Sequence, residues 1–161
     1  MTPVWIDPAT LIDRRIYRIR SRNLVIGAWD AKSKGFIGLR EKFGDVYLFT
    51  EYEHDLMGPP HGTARAVDDL GVDVPDDIVM DEYLRTSDGA LCNNPALYDL
   101  LCQHEDRALQ LRETEAEQHL AEIRAREAAM TPEQKAERER ISRERMAEMR
   151  RRFEERDAEP R

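Results

Sequence analysis

Five side chains able to do chemistry crowd into one short stretch: Glu51, Glu53, His54, Asp55 and, after a loop, His61. Carboxylates and imidazoles are the groups of a metal centre or of general acid–base catalysis. On a strand, Glu51, Glu53 and Asp55 share one face and His54 points to the other. A metal ion needs several ligands converging at about 2–2.5 Å, so His54 and His61 meet only if the chain between them doubles back. A solvated acidic edge beside a loop histidine needs no such coincidence. Cys92 and Cys102 form no Cys-x-x-Cys pair and have no His and acid nearby in sequence to make a nucleophile. Cys102 reads as core. Gly27, Gly35, Gly38 and Gly44 do not build the glycine-rich, lysine-containing loop that cradles phosphates. The expectation is a protein without enzymatic activity, cofactor or metal.

A second set of residues points to binding. Arg14, Arg15, Arg18, Arg20, Arg22, Lys32, Lys34, Arg40 and Lys42 give the first 44 residues nine basic groups against four acids. Tyr17, Trp29, Phe36 and Tyr47 lie among them. Cations interleaved with aromatics suit nucleic acid, whose phosphates need charge and whose bases need a stacking surface. Arg18, Arg20, Arg22, Arg40 and Lys42 are the candidate contacts. Residues 67–106 argue against this use, because they hold eleven acids and a single arginine. That segment has the sign to neutralise the arginines internally. The whole chain, at −8, has no general attraction for nucleic acid or anionic membrane.

Two unlike halves must position these residues. Arg15–Arg22 alternates in period two, which places Arg18, Arg20 and Arg22 on one wet face and Tyr17, Ile19 and Ser21 on the other. Leu24–Trp29, Phe36–Arg40 and Val46–His54 follow as strands, with glycine-marked turns between them, and Thr63–Val67 can close the sheet. Trp29, Phe36, Ile37 and Leu48 are expected in the core. The predicted fold is α+β: an SH3-like antiparallel β-barrel over residues 1–70, an acidic connector over 71–94, and a charged helical arm over 95–157.

The arm has clear punctuation. Asn94-Pro95 is a cap followed by a residue favoured at the first helical position. Thr131-Pro132 breaks the helix and restarts it, with Gln134 placed for a capping box. Leu109, Ala116, Ile123 and Met130 recur every seven residues. The companion heptad row is mostly polar, which leaves self-association open rather than required. Met146, Met149 and Phe153 form a second stripe. Leu109, Ile123, Met130, Met146, Met149 and Phe153 are therefore the candidate partner-binding residues, for another protein or for a second copy.

The string Ser21-Arg22-Asn23-Leu24, Gly27-Ala28-Trp29-Asp30, Gly35-Phe36-Ile37-Gly38-Leu39-Arg40-Glu41-Lys42-Phe43-Gly44, Tyr47-Leu48-Phe49-Thr50-Glu51-Tyr52 and Gly58-Pro59-Pro60-His61-Gly62-Thr63 resembles a family of small proteins of actinobacterial bacteriophages. The resemblance spans about residues 15–70 and implies a phage origin and an accessory role, and nothing about a reaction; the expected partner of the helical arm and β-module is a host or phage protein. No charged-then-apolar leader and no apolar run of spanning length is present. The expected location is the cytoplasm of the bacterial host.

Overall fold

Strand β1 (Arg15–Arg20) lies inside a five-stranded antiparallel sheet, and this decides the fate of its arginines. It pairs with β2 (Ile26–Asp30) on one side and β5 (Arg65–Asp73) on the other. Strands β3 (Gly35–Lys42) and β4 (Asp45–Tyr52) continue the sheet, giving the order β4-β3-β2-β1-β5. The computed structural model describes residues 5–53 and 64–158, and the chain divides into two units, Met1–Thr114 and Glu115–Arg161.

In the first unit both faces of the sheet are covered. On one, Ile16, Ile26, Ala28, Ile37, Leu39 and Leu48 pack against Leu97, Leu101 and Ala108 of helix α1 (Pro95–Ala129). On the other, Tyr17, Ile19, Trp29, Phe36 and Ala66 gather with Ile6 and Leu11. The N-terminal segment is held there by two backbone donors. The Ile6 N–H bonds the Ala66 carbonyl at 2.9 Å, and the Ile12 N–H bonds the Tyr17 hydroxyl at 2.9 Å. Asp7 caps the helical turn Pro8–Thr10 by accepting the Ala9 N–H. Trp29, Phe36, Ile37 and Leu48 are all buried, as their pattern predicts.

The reading of β1 as half wet is corrected. Ile16, Tyr17, Arg18 and Ile19 are buried in succession, because a strand inside a sheet covered on both faces has no solvated side. The end of the sheet is also corrected. Its fifth strand runs to Asp73 rather than Val67 and pairs with β1. Charge places it there: Arg15 bridges Asp69 and Asp73, and Arg18 pairs with Asp68. Cross-strand pairs of opposite charge stabilise such a register. Strands β4 and β5 are left as the two edges, and no pairing between strands closes a barrel among the described residues.

The acidic connector is more ordered than its composition implies. Arg14, with φ of 64°, sends its guanidinium to the carbonyls of Val74, Pro75 and Ile78 and so pins the chain leaving β5. Beyond it, β6 (Tyr83–Arg85) and β7 (Leu91–Asn93) form a small hairpin. The Asn93 side chain ties this hairpin to the sheet, accepting the outward Leu48 N–H of edge strand β4 at 2.8 Å. At the far end of that edge, the Tyr52 carbonyl accepts the Ala64 N–H at 3.2 Å. The first unit therefore reaches past residue 94 into α1, because Leu97 and Leu101 are fully buried in its core.

The caps are as read. Asn94 accepts the Leu97 N–H, and Pro95 opens α1. In the second unit, Thr131 and Gln134 exchange backbone hydrogen bonds at the start of helix α2 (Pro132–Ala158), a closed capping box.

Candidate interaction surfaces

The carboxylate–histidine stretch does not assemble within the described residues. Glu51, on β4, is buried at 9% exposure and accepts a hydrogen bond from the Asn23 side chain. Its second oxygen, Oε2, has no hydrogen-bond partner among the described residues. Glu53 is half-buried, and His54, Asp55 and His61 lie outside the described residues. Among the described residues no three His, Cys, Asp or Glu side chains are grouped as metal ligands.

The cysteines are half-buried, Cys92 on β7 and Cys102 on α1. Burial pushes the Cys102 thiol up, and Glu105 and Asp99 add to this against the lowering effect of the Tyr98 hydrogen bond. A thiol held protonated is a poor nucleophile. One helical turn's width away, Glu105 is also raised, first by burial and then by Asp106 and by Glu41 of β3. A carboxyl whose folded-state pKa is raised favours the fold when protonated, and that contribution is lost as pH rises through the folded value. Glu105→Gln is therefore expected to melt higher than the parent at neutral pH and at the same temperature near pH 3. Paired thermal melts at the two pH values check this, and an unchanged or lower neutral-pH midpoint contradicts it.

The basic stripe separates into two populations. Arg14, Arg15 and Arg18 are engaged inside the first unit by carbonyls and by Asp68, Asp69 and Asp73. Arg18 is only 6% exposed, so the internal neutralisation foreseen for the acidic segment applies to it. Arg20, Arg40 and Lys42 stand beside aromatic rings, and Lys32 and Lys34 are exposed. Arg20 and Arg65 flank the Trp5 ring at 5.4 and 5.6 Å, Arg40 lies over Phe49 at 4.5 Å, and Lys42 lies over Phe43 at 5.4 Å. Arg22 is exposed.

Phe43 is the residue that sequence reasoning passed over. Lys42 and Asp45 are paired across β3 and β4, so Phe43-Gly44 is a two-residue turn with φ of 54° and 82°. Positive φ at both central positions is the type I′ hairpin geometry, for which Asn-Gly is the favoured sequence. A phenylalanine in the left-handed region is strained by about 1–2 kcal/mol, and this one is 93% exposed, with the neighbouring Lys42 over its ring. The signal in the sequence was an aromatic placed before Gly44, where asparagine is the ordinary choice.

The helical residues sort by unit. Leu109 is half-buried in the first unit. In the second, Ile123 and Met130 are half-buried, whereas Met146, Met149 and Phe153 of α2 are exposed at 58%, 52% and 54%. Around them the helix is laced with ion pairs, such as Arg140 with Glu137 and Glu144. Among the described residues no helix is long and apolar enough to cross a membrane. Compared with protein-family models, with curated proteins and with solved structures, the chain matches none.

Proposed function

We propose that the chain is a non-enzymatic accessory protein of the actinobacteriophage kind, working in the host cytoplasm and binding a host or phage protein. The contact is made through α2, with the β-module as a second contact. One observation carries the reading: a helix of the second unit leaves two methionines and a phenylalanine more than half exposed along one side. Apolar side chains in that arrangement gain nothing from water, and methionine adapts its shape to varied partners. Phe43, at the hairpin tip, offers the β-module's own apolar contact. The module's membership of the small SH3-like barrels belongs to the same proposal. Its support is the bond from Ala64 to Tyr52, which brings the start of β5 beside the end of β4.

Met149→Glu with Phe153→Glu is expected to abolish capture of the partner by the tagged protein in host cells, while the melting temperature stays unchanged. An unchanged captured set would leave α2 a solvated spacer and end this reading.

The alternative is a nucleic-acid-binding accessory protein using Arg20, Arg22, Arg40 and Lys42. The Trp5 ring between Arg20 and Arg65 favours it, since a ring flanked by two cations can stack a base while the guanidinium groups meet phosphates. Absence of a gel shift by the intact protein at low salt removes the alternative.

A further inference from the structure

The proposed role of α2 leaves its partner's chemistry open, and the charges around the stripe define it. At about 3.6 residues per turn, Ser142, Met146, Met149 and Phe153 fall within a band about 60° wide. Arg143 and Arg150 border that band on one side, and Arg145 and Arg152 on the other. The acids of the same stretch, Glu144 and Glu148, fall on the opposite face. Between Ser142 and Phe153 the apolar stripe is thus rimmed on both sides by arginine, and Glu139, one turn earlier, lies on the Arg143 side. Two of these cations are already engaged: Arg143 with Glu139 at 3.2 Å and Arg152 with Glu148 at 2.5 Å. Arg145 and Arg150, one on each rim, have no ion pair among the described residues.

Resting on the reading of α2 as the contact element, we infer that this stripe receives an amphipathic helix with acidic flanks from another protein. In helix pairs, the residues bordering the apolar seam choose the partner, because they face one another across it. A second copy of α2 brings arginine against arginine in either orientation, since both of its rims are basic. That juxtaposition disfavours self-pairing through this seam. A membrane surface is disfavoured by width, because a helix lying in a bilayer interface presents a broader apolar face than three side chains in one narrow band. A helix with glutamate or aspartate at its flanking positions gives Arg145 and Arg150 the partners they lack, while Met146, Met149 and Phe153 fill its groove.

The test titrates the full-length protein with two synthetic helical peptides that share a leucine seam and differ only in their flanking residues, all glutamate or all lysine. The glutamate peptide is expected to bind roughly tenfold tighter or better, with the difference shrinking as salt is added. Reversing the rim with Arg145→Glu and Arg150→Glu is expected to invert the preference. Equal binding of the two peptides, or binding of neither, overturns the inference. If neither binds while Met149→Glu and Phe153→Glu still abolish capture from cells, the wider reading of α2 stands and only the acidic-helix inference falls. Concentration-dependent dimers in sedimentation that those same substitutions abolish would make a second copy the occupant and overturn it. Binding to anionic vesicles with the same dependence would also overturn it.

Discussion

A chain cut after Asn94 is expected to lose cooperative unfolding, whereas a chain cut after Thr114 keeps it. The shorter piece holds every strand of the sheet but exposes the face made by Ile16, Ile26, Ala28, Ile37, Leu39 and Leu48. Helix α1 covers that face with Leu97 and Leu101, both fully buried. Removing one such leucine costs about 2–5 kcal/mol. Losing both, together with Ala108, is of the same size as the margin of about 5–15 kcal/mol that a small domain has. Near-ultraviolet circular dichroism of Trp29 and calorimetric melting distinguish the outcomes. A cooperative transition in the shorter piece would mean that the sheet stands without its helix.

Asn94→Ala is expected to destabilise the full chain by about 2–4 kcal/mol, from a lost cap and from carbonyls left without donors. Asn94 is 1% exposed and works at both ends of its amide. Its oxygen accepts the Leu97 N–H, while its nitrogen donates to the carbonyls of Val79 at 2.7 Å and Asp81 at 3.0 Å. The same side chain therefore starts α1 and holds the segment before β6 against it. Asn94→Ser retains the cap and loses both donations, so it should fall between the parent and alanine. Urea unfolding midpoints measure the order. An alanine variant within about 0.5 kcal/mol of the parent, the range of ordinary surface changes, would show that water replaces the amide at no loss.

Asn94 also shows what a sequence discloses. Caps are local: Asp7, Asn94-Pro95 and the Thr131–Gln134 box bond within three residues of themselves, and each was legible. The extent of β5 was not. Asp68, Asp69 and Asp73 are poor strand formers by propensity, and only their distant partners Arg15 and Arg18 make them part of a strand. The burial of Arg18 was hidden for the same reason, since period two describes a sheet with one wet face, and this one is covered on both. The helix stripes were legible from spacing. The arginines bordering the α2 stripe were equally visible there, but they take meaning only once Met146, Met149 and Phe153 are known to be uncovered.

The outer edge of β4 carries one more consequence. An unpaired strand edge is a template on which any extended chain can grow, and proteins that leave one open risk aggregation. Here Asn93 occupies the outward Leu48 N–H and Ala64 occupies the outward Tyr52 carbonyl. A single residue, Thr50, separates those two blocked positions on the outward row, too short a run for a foreign strand to register. Between Leu48 and Tyr52 this edge can thus stand beside exposed apolar side chains without offering its backbone for fibre growth.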